Sequence, residues 1–181
     1  QNFVDKLIEE LGVPEPKGRP SLFLSEDFVR SQLDVVFDEN IPALATGLGT
    51  PAWLVSELHK RDMKLVSLVG NVRVAKRMAA QDPDIIVAQG YDSGGHTGWI
   101  GTLNLVPQVV DAVAPIPVIA AGGIGDGRGL AAALALGAQG AWCGTIFLAT
   151  YEANVPDFVK QNITNFSERD TKITRICTGK T

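Results

Sequence analysis

An apolar strand that ends in glycine, used again and again, is the feature that most limits how this chain can fold. It recurs between residues 84 and 145 as Ile-Ile-Val-Ala-Gln-Gly at 85–90, Pro-Val-Ile-Ala-Ala-Gly-Gly at 117–123 and Gly-Ala-Trp-Cys-Gly-Thr at 140–145. Thirteen of the chain's 19 glycines lie in this stretch, and its only charged residues are Asp84, Asp92, Asp111, Asp126 and Arg128, so it is expected to be mostly buried and tightly turned. Continuous apolar runs mark strands covered on both faces of a parallel sheet, and ligands collect where the loops leave the carboxyl ends of such strands. Glycine there lets backbone amides approach a ligand closely, and loops that lead into helices make anion sites.

The same unit extends along the chain. Strands are expected at 41–46, 64–69, 85–89, 117–121 and 138–144, alternating with helices at 52–61, 73–81, 103–113 and 129–136. This alternation predicts a parallel βαβ sheet with right-handed crossovers. Two helices precede it, one at 2–11 and one capped by Ser25 with Glu26 and Asp27, whose tail at 34–37 also fits a short strand. A helix at 155–166 and an alternating strand at 172–177 follow.

The fold class is therefore α/β, with parallel βα units of a TIM barrel. One domain is expected over 1–181, with its core units in 41–150 and a carboxyl-terminal helix and strand in 151–181. A closed barrel of this kind uses eight strands and about 250 residues. Five or six strands leave it incomplete, so front strands are expected to be missing and the open edges to favour self-association. An open doubly wound sheet is the structural alternative.

The net charge of −4 argues against general affinity for nucleic acid or anionic membrane. No apolar run approaches the roughly 20 residues a membrane helix needs. Cys143 and Cys177 have neither metal-ligand spacing nor a disulfide framework, no metal ligands are assigned, and a reducing, cytoplasmic setting is expected.

Two constellations carry chemistry. In Gly-Tyr-Asp-Ser-Gly-Gly-His-Thr-Gly at 90–98, glycines bracket His96 directly after a buried strand, which aims an imidazole over the strand ends; His59, in a helix, is expected to be a surface residue. In the second, Gly122 and Gly123 of one strand-end loop pair with Gly144 and Thr145 of the next to offer backbone amides and a hydroxyl to a phosphate. The glycines at 123–129 do not follow dinucleotide spacing, and no acidic residue about 20 positions on is placed to hold a ribose. Asp92 either orients His96 or caps its loop. Gln89 either bonds a heterocycle or satisfies backbone groups, Asp126 caps the helix near Gly127, and Trp53, Trp99 and Trp142 are expected to be packing residues.

Taken in order, the motifs at 87–98, 117–124 and 140–147 resemble those of the nitronate monooxygenase family. The resemblance covers 41–150 and continues weakly at 170–171 and 178–179. It implies a TIM-barrel flavoenzyme that binds FMN and oxidises alkyl nitronates with molecular oxygen. By the same resemblance His96 matches the catalytic histidine, Gly122, Gly123, Gly144 and Thr145 match the FMN phosphate loops, and Gln89 matches a glutamine at the flavin. Asp92-Ser93 stands where the family has an acidic and a small residue, and the family's amino-terminal Pro-Met segment has no counterpart. FMN-dependent enoyl-acyl-carrier-protein reductases share similar loops and form the nearest alternative, with a non-catalytic phosphate-binding or partner-binding remnant as the other.

Overall fold

The computed structural model describes residues 10–12, 26–47 and 49–174. The chain divides into two compact units, Gln1–Ile41 and Pro42–Thr181, where the sequence reading counts one domain. In the first, helix α1 spans Glu26–Asp38 and buries Leu33. Its tail is helical throughout, so the short strand at 34–37 does not form. The helix expected at 2–11 falls almost wholly outside the described residues.

The second unit is a run of strands and helices. Its elements are β1 (Ala43–Thr46), α2 (Ala52–Lys60), β2 (Lys64–Val69), α3 (Val72–Ala79), β3 (Ile85–Gln89), α4 (Thr102–Val113), β4 (Val118–Ala121), α5 (Gly127–Ala135), β5 (Gly140–Trp142), α6 (Thr145–Leu148) and α7 (Asp157–Asn165). Every expected strand from 41 to 144 forms, most of them trimmed at one or both ends. The strand expected at 172–177 does not form over Lys172 to Thr174, and its remaining residues lie outside those described. The four-residue α6 has no counterpart in the sequence reading.

All neighbouring strands are parallel and the sheet order is β1-β2-β3-β4-β5. This order decides between the two expected architectures. A doubly wound sheet reverses its strand order at a switch point, whereas the singly wound order, with each strand beside its predecessor, is that of barrel βα units.

The helices cover one face. Val69, Ile86, Ala88, Val118 and Ala120 of the sheet pack with Ala75 and Met78 of α3, Leu105, Val106, Val109 and Val113 of α4, and Ala133 of α5. The α4 set is spaced i, i+1, i+4, i+8, the stripe that a 3.6-residue period turns to one side. On the opposite face Val66, Val87 and Ala121 form a second apolar cluster with Leu68, Ile85 and Ile119. Both faces of β2 and β3 are thus apolar, which is why these strands read as continuous hydrophobic runs.

Helix ends set the turns back into the sheet. After α2, Asp62 takes φ 56° and the Met63 amide donates to the Leu58 carbonyl at 3.0 Å; after α5, Gly137 takes φ 91° and the Ala138 amide donates to Ala133 at 3.1 Å. Each is a left-handed helix stop closed by a bond five residues back, with a buried residue, Met63 or Ala138, leading towards the next strand. Asn71 opens α3 by accepting from the Val74 amide at 2.9 Å.

Candidate functional site

Gln89, Ala121 and Trp142 are lateral partners in the register of β3, β4 and β5. Because laterally paired residues of a parallel sheet point to the same side, all three stand on the face away from the helices, at the carboxyl ends of their strands. The loops that leave these ends build the site.

Residues 90–101 form the central loop. The Gly90 amide donates to Ala121 at 2.9 Å and the Tyr91 amide to Ile100 at 3.0 Å, which ties the loop to β4 and closes its base. Inside it, Ser93 Oγ donates to the Gly90 carbonyl at 2.8 Å, while Gln89 Nε2 donates to Ser93 Oγ at 3.0 Å and to the His96 carbonyl at 3.1 Å. Outside it, Asp92 Oδ2 accepts from the Thr102 amide at 2.7 Å, so Asp92 caps α4. The loop also reaches sideways. A Cβ on Gly98 would lie 2.6 Å from the Gly70 carbonyl oxygen beyond β2, and one on Gly94 would lie 3.4 Å from Thr145 Oγ1 beyond β5. The loop that carries His96 therefore bridges the ends of β2 to β5, and His96 itself is exposed.

The second loop depends on glycine geometry. Gly122 has φ 112°, and a Cβ there would sit 2.6 Å from Thr102 Oγ1 and 3.0 Å from the Ser93 amide; Gly123 has φ 69° and approaches Asp92. A side chain at either position would be strained in its backbone and pushed into the His96 loop. Asp126 caps α5, accepting from the Arg128 amide at 2.9 Å and the Gly129 amide at 3.4 Å. Its ion pair with the Arg128 guanidinium at 2.6 Å, aided by these amides, holds the carboxyl below the usual carboxylate range. The first amides of α5 are thus already bonded. An anion here would draw on the loop at 122–125 and on Gly144 and Thr145. Those positions fit a phosphate: Gly123, Gly144 and Thr145 are exposed, and a Cβ at Gly144 would meet nothing within 4 Å.

The structure thus brings His96, Gln89, Gly122, Gly123, Gly144 and Thr145 to one end of one sheet. Two expectations change. The glycine-rich stretch is buried in most of β3 and β4 and along one stripe of α4, but β5 has no buried residue and much of the loops is exposed, and Trp99 and Trp142 are 67% and 42% exposed instead of packed. Trp142 ends β5, the last strand of the described sheet, on the face away from the helices. Sequence reading missed Thr102, whose amide serves Asp92 and whose hydroxyl donates to the Ala121 carbonyl at 3.3 Å between Gly90 and Gly122. The signal was a threonine directly after Gly101 at a helix start.

His59 is half-exposed as expected, but its Nε2 lies 3.4 Å from Asp84 Oδ2 at the opposite end of the sheet. Asp84 also accepts from the Leu65 amide at 2.8 Å and pairs with Lys64 at 3.1 Å. Partial burial pushes its carboxyl up, yet the Leu65 amide, Lys64 and His59 outweigh that and hold it below the usual range.

Singly wound parallel βα units with glycine loops at their carboxyl ends define this chain as a set of (β/α) barrel units. The chain belongs to the nitronate monooxygenase family, whose model matches residues 7–181. It is 44% identical over 187 residues to a putative monooxygenase of Mycobacterium tuberculosis, covering 99% of this chain and 50% of that protein. It is 39% identical over 163 residues to a probable nitronate monooxygenase of Staphylococcus saprophyticus, covering 83% of this chain and 46% of that protein. FabK from Thermotoga maritima superimposes with TM-score 0.80 at 34% identity, over 99% of this chain and 58% of its own. A nitroalkane oxidase from Streptomyces ansochromogenes does so with TM-score 0.79 at 34% identity, over 85% and 48%. The chain thus spans about half the length of the curated relatives it matches. Among the described residues, no helix is long and apolar enough to cross a membrane.

Proposed function

We propose that this chain forms the phosphate-holding and substrate-facing part of an FMN-dependent oxidoreductase that oxidises alkyl nitronates, or nitroalkanes, with molecular oxygen. The observation that carries this reading is the meeting of three loops at neighbouring strand ends, with Gly94 of the His96 loop against Thr145 and Gly122 against Ser93. In this reading Gly122, Gly123, Gly144 and Thr145 hold the FMN phosphate, and Gln89 stands beside the flavin. FMN, when bound, supplies the redox chemistry. His96 supplies a charge or a proton site: as an imidazolium it holds the nitronate anion, and as a neutral ring it takes the proton from the carbon beside a nitro group. The partners are a small molecule and oxygen, in the cytoplasm, with neither nucleic acid nor membrane, and with self-association through the sheet edges at β1 and β5.

The test is direct. The purified protein should be yellow, carry FMN in a one-to-one ratio and consume oxygen when given a preformed nitronate. A second reading, FMN-dependent enoyl-acyl-carrier-protein reduction, draws support from the likeness to FabK. NADH oxidation driven by an enoyl thioester, with no nitronate turnover, would select it; a colourless protein that cannot be loaded with FMN would exclude both.

A further inference from the structure

We propose that Gln89 is the positioning residue for His96, acting through the amide nitrogen of its side chain. Both acceptors of that nitrogen lie in the His96 loop: Ser93 Oγ at 3.0 Å and the His96 carbonyl at 3.1 Å. A carbonyl oxygen only accepts, so the His96 contact fixes which way the amide of Gln89 is turned. Both donor hydrogens are therefore committed to the loop, one on each side of Gly94 and Gly95. Gly94 and Gly95 themselves contribute no side chain to the turn, and Gly95 has φ 80°. Gln89 itself ends β3, where it is paired with Ala121 of β4, one residue beyond the Val69–Ala88 pair that closes the β2 ladder. A paired strand end thus holds the backbone of a glycine turn at the residue whose ring is proposed to act, which is how a supporting hydrogen bond sets a functional group's geometry.

This inference rests on the reading of His96 given above, and its test separates the two. In Gln89→Glu the carboxylate keeps an acceptor oxygen in place and removes both donors. Hydrogen exchange at the Tyr91 and Ser93 amides, each hydrogen-bonded within the loop, should accelerate about tenfold, as expected when a local opening loses two hydrogen bonds. The β3 amides of Ile86 and Val87 should keep their protection. Unchanged exchange at Tyr91 and Ser93 would overturn the proposal, and this measurement needs no flavin. If Gln89→Glu does not fold, Gln89→Met, which keeps the length of the side chain, carries no charge and removes both donors, should give the same acceleration at Tyr91, and none would overturn it. In the flavin-loaded enzyme, Gln89→Glu should lower kcat about tenfold or more in the parent and add nothing in a His96→Asn background, because it acts through His96. Equal losses in both backgrounds would assign Gln89 a separate role.

Discussion

The backbone amide of Thr102 donates to the carboxylate of Asp92 at 2.7 Å, so the first turn of α4 is capped by the loop that precedes it. Fold stability and loop geometry meet in that bond. Asp92→Ala should cost about 1 kcal/mol in urea denaturation, the usual worth of a helix cap. Asp92→Asn, which retains an acceptor oxygen, should recover most of it; equal loss in both variants would show that the cap is not what Asp92 contributes.

Glycine substitutions should divide by what surrounds them. A Cβ on Gly90 would overlap Thr102, whereas one on Gly127 meets nothing within 4 Å. Gly90→Ala is expected to destabilise by about 1–3 kcal/mol through overpacking. Gly127→Ala, in the first turn of α5, should be neutral or stabilise by up to about 1 kcal/mol. Thermal melting of the two variants makes the comparison.

For the proposed phosphate site, Gly144 gives a cleaner test than Gly123. Gly123→Val would strain a backbone at φ 69° as well as fill the loop, while Gly144 has φ −115° and open space around its Cβ position. Gly144→Val should leave the melting temperature in place and weaken FMN binding about tenfold or more, roughly 1.4 kcal/mol, by blocking close approach of the phosphate. Unchanged affinity would sink the assignment of this loop.

Replacing His96 by Asn keeps size and some hydrogen bonding but removes the titratable charge. If the ring acts as a base, oxidation of neutral nitroalkanes should fall about 10²–10⁴-fold, and preformed nitronate should suffer less. FMN content and melting temperature should hold, since His96 is exposed. Equal loss on both substrates indicates anion binding by the imidazolium, and no loss on either removes His96 from the mechanism.

Asp84 should give the fold an acid-sensitive clamp. Its folded carboxyl is held below the unfolded value of about 3.9, so its contribution is full above that value and is lost as pH falls through the depressed one. Asp84→Ala also strands the amide of fully buried Leu65 and should cost about 1–3 kcal/mol at neutral pH. The gap between the two proteins should narrow as pH drops below about 4. A constant gap would mean that charge plays no part.

The strands from 43 to 142 were legible because their apolar runs are local, and each is punctuated by a nearby glycine, proline or aspartate. Gly122 and Gly123 were legible for the same reason, since their left-handed turns leave few other residues possible. What stayed hidden joins residues far apart in the chain: His59 with Asp84, Thr102 with Ala121, and Gly70 with Gly98. Asp92 shows the limit well. Its short distance from His96 suggested a partner for the ring, but the fold turns its carboxylate to an amide ten residues on. The exposure of Trp142 was hidden too, because aromatic character predicts packing while place in the sheet decides it.

The winding of the sheet has an evolutionary corollary. Because each strand lies beside the one before it, a strand-end loop is a contiguous cassette whose neighbours in space are also its neighbours along the gene. Exchange of residues 90–101 with the matching segment of a relative would then carry a histidine, its turn and its helix cap together, leaving the sheet ladder as it was. With the proposed role of the His96 loop, substrate preference in such a lineage would change one cassette at a time, provided that glutamine and threonine are kept at 89 and 102 to receive the new piece.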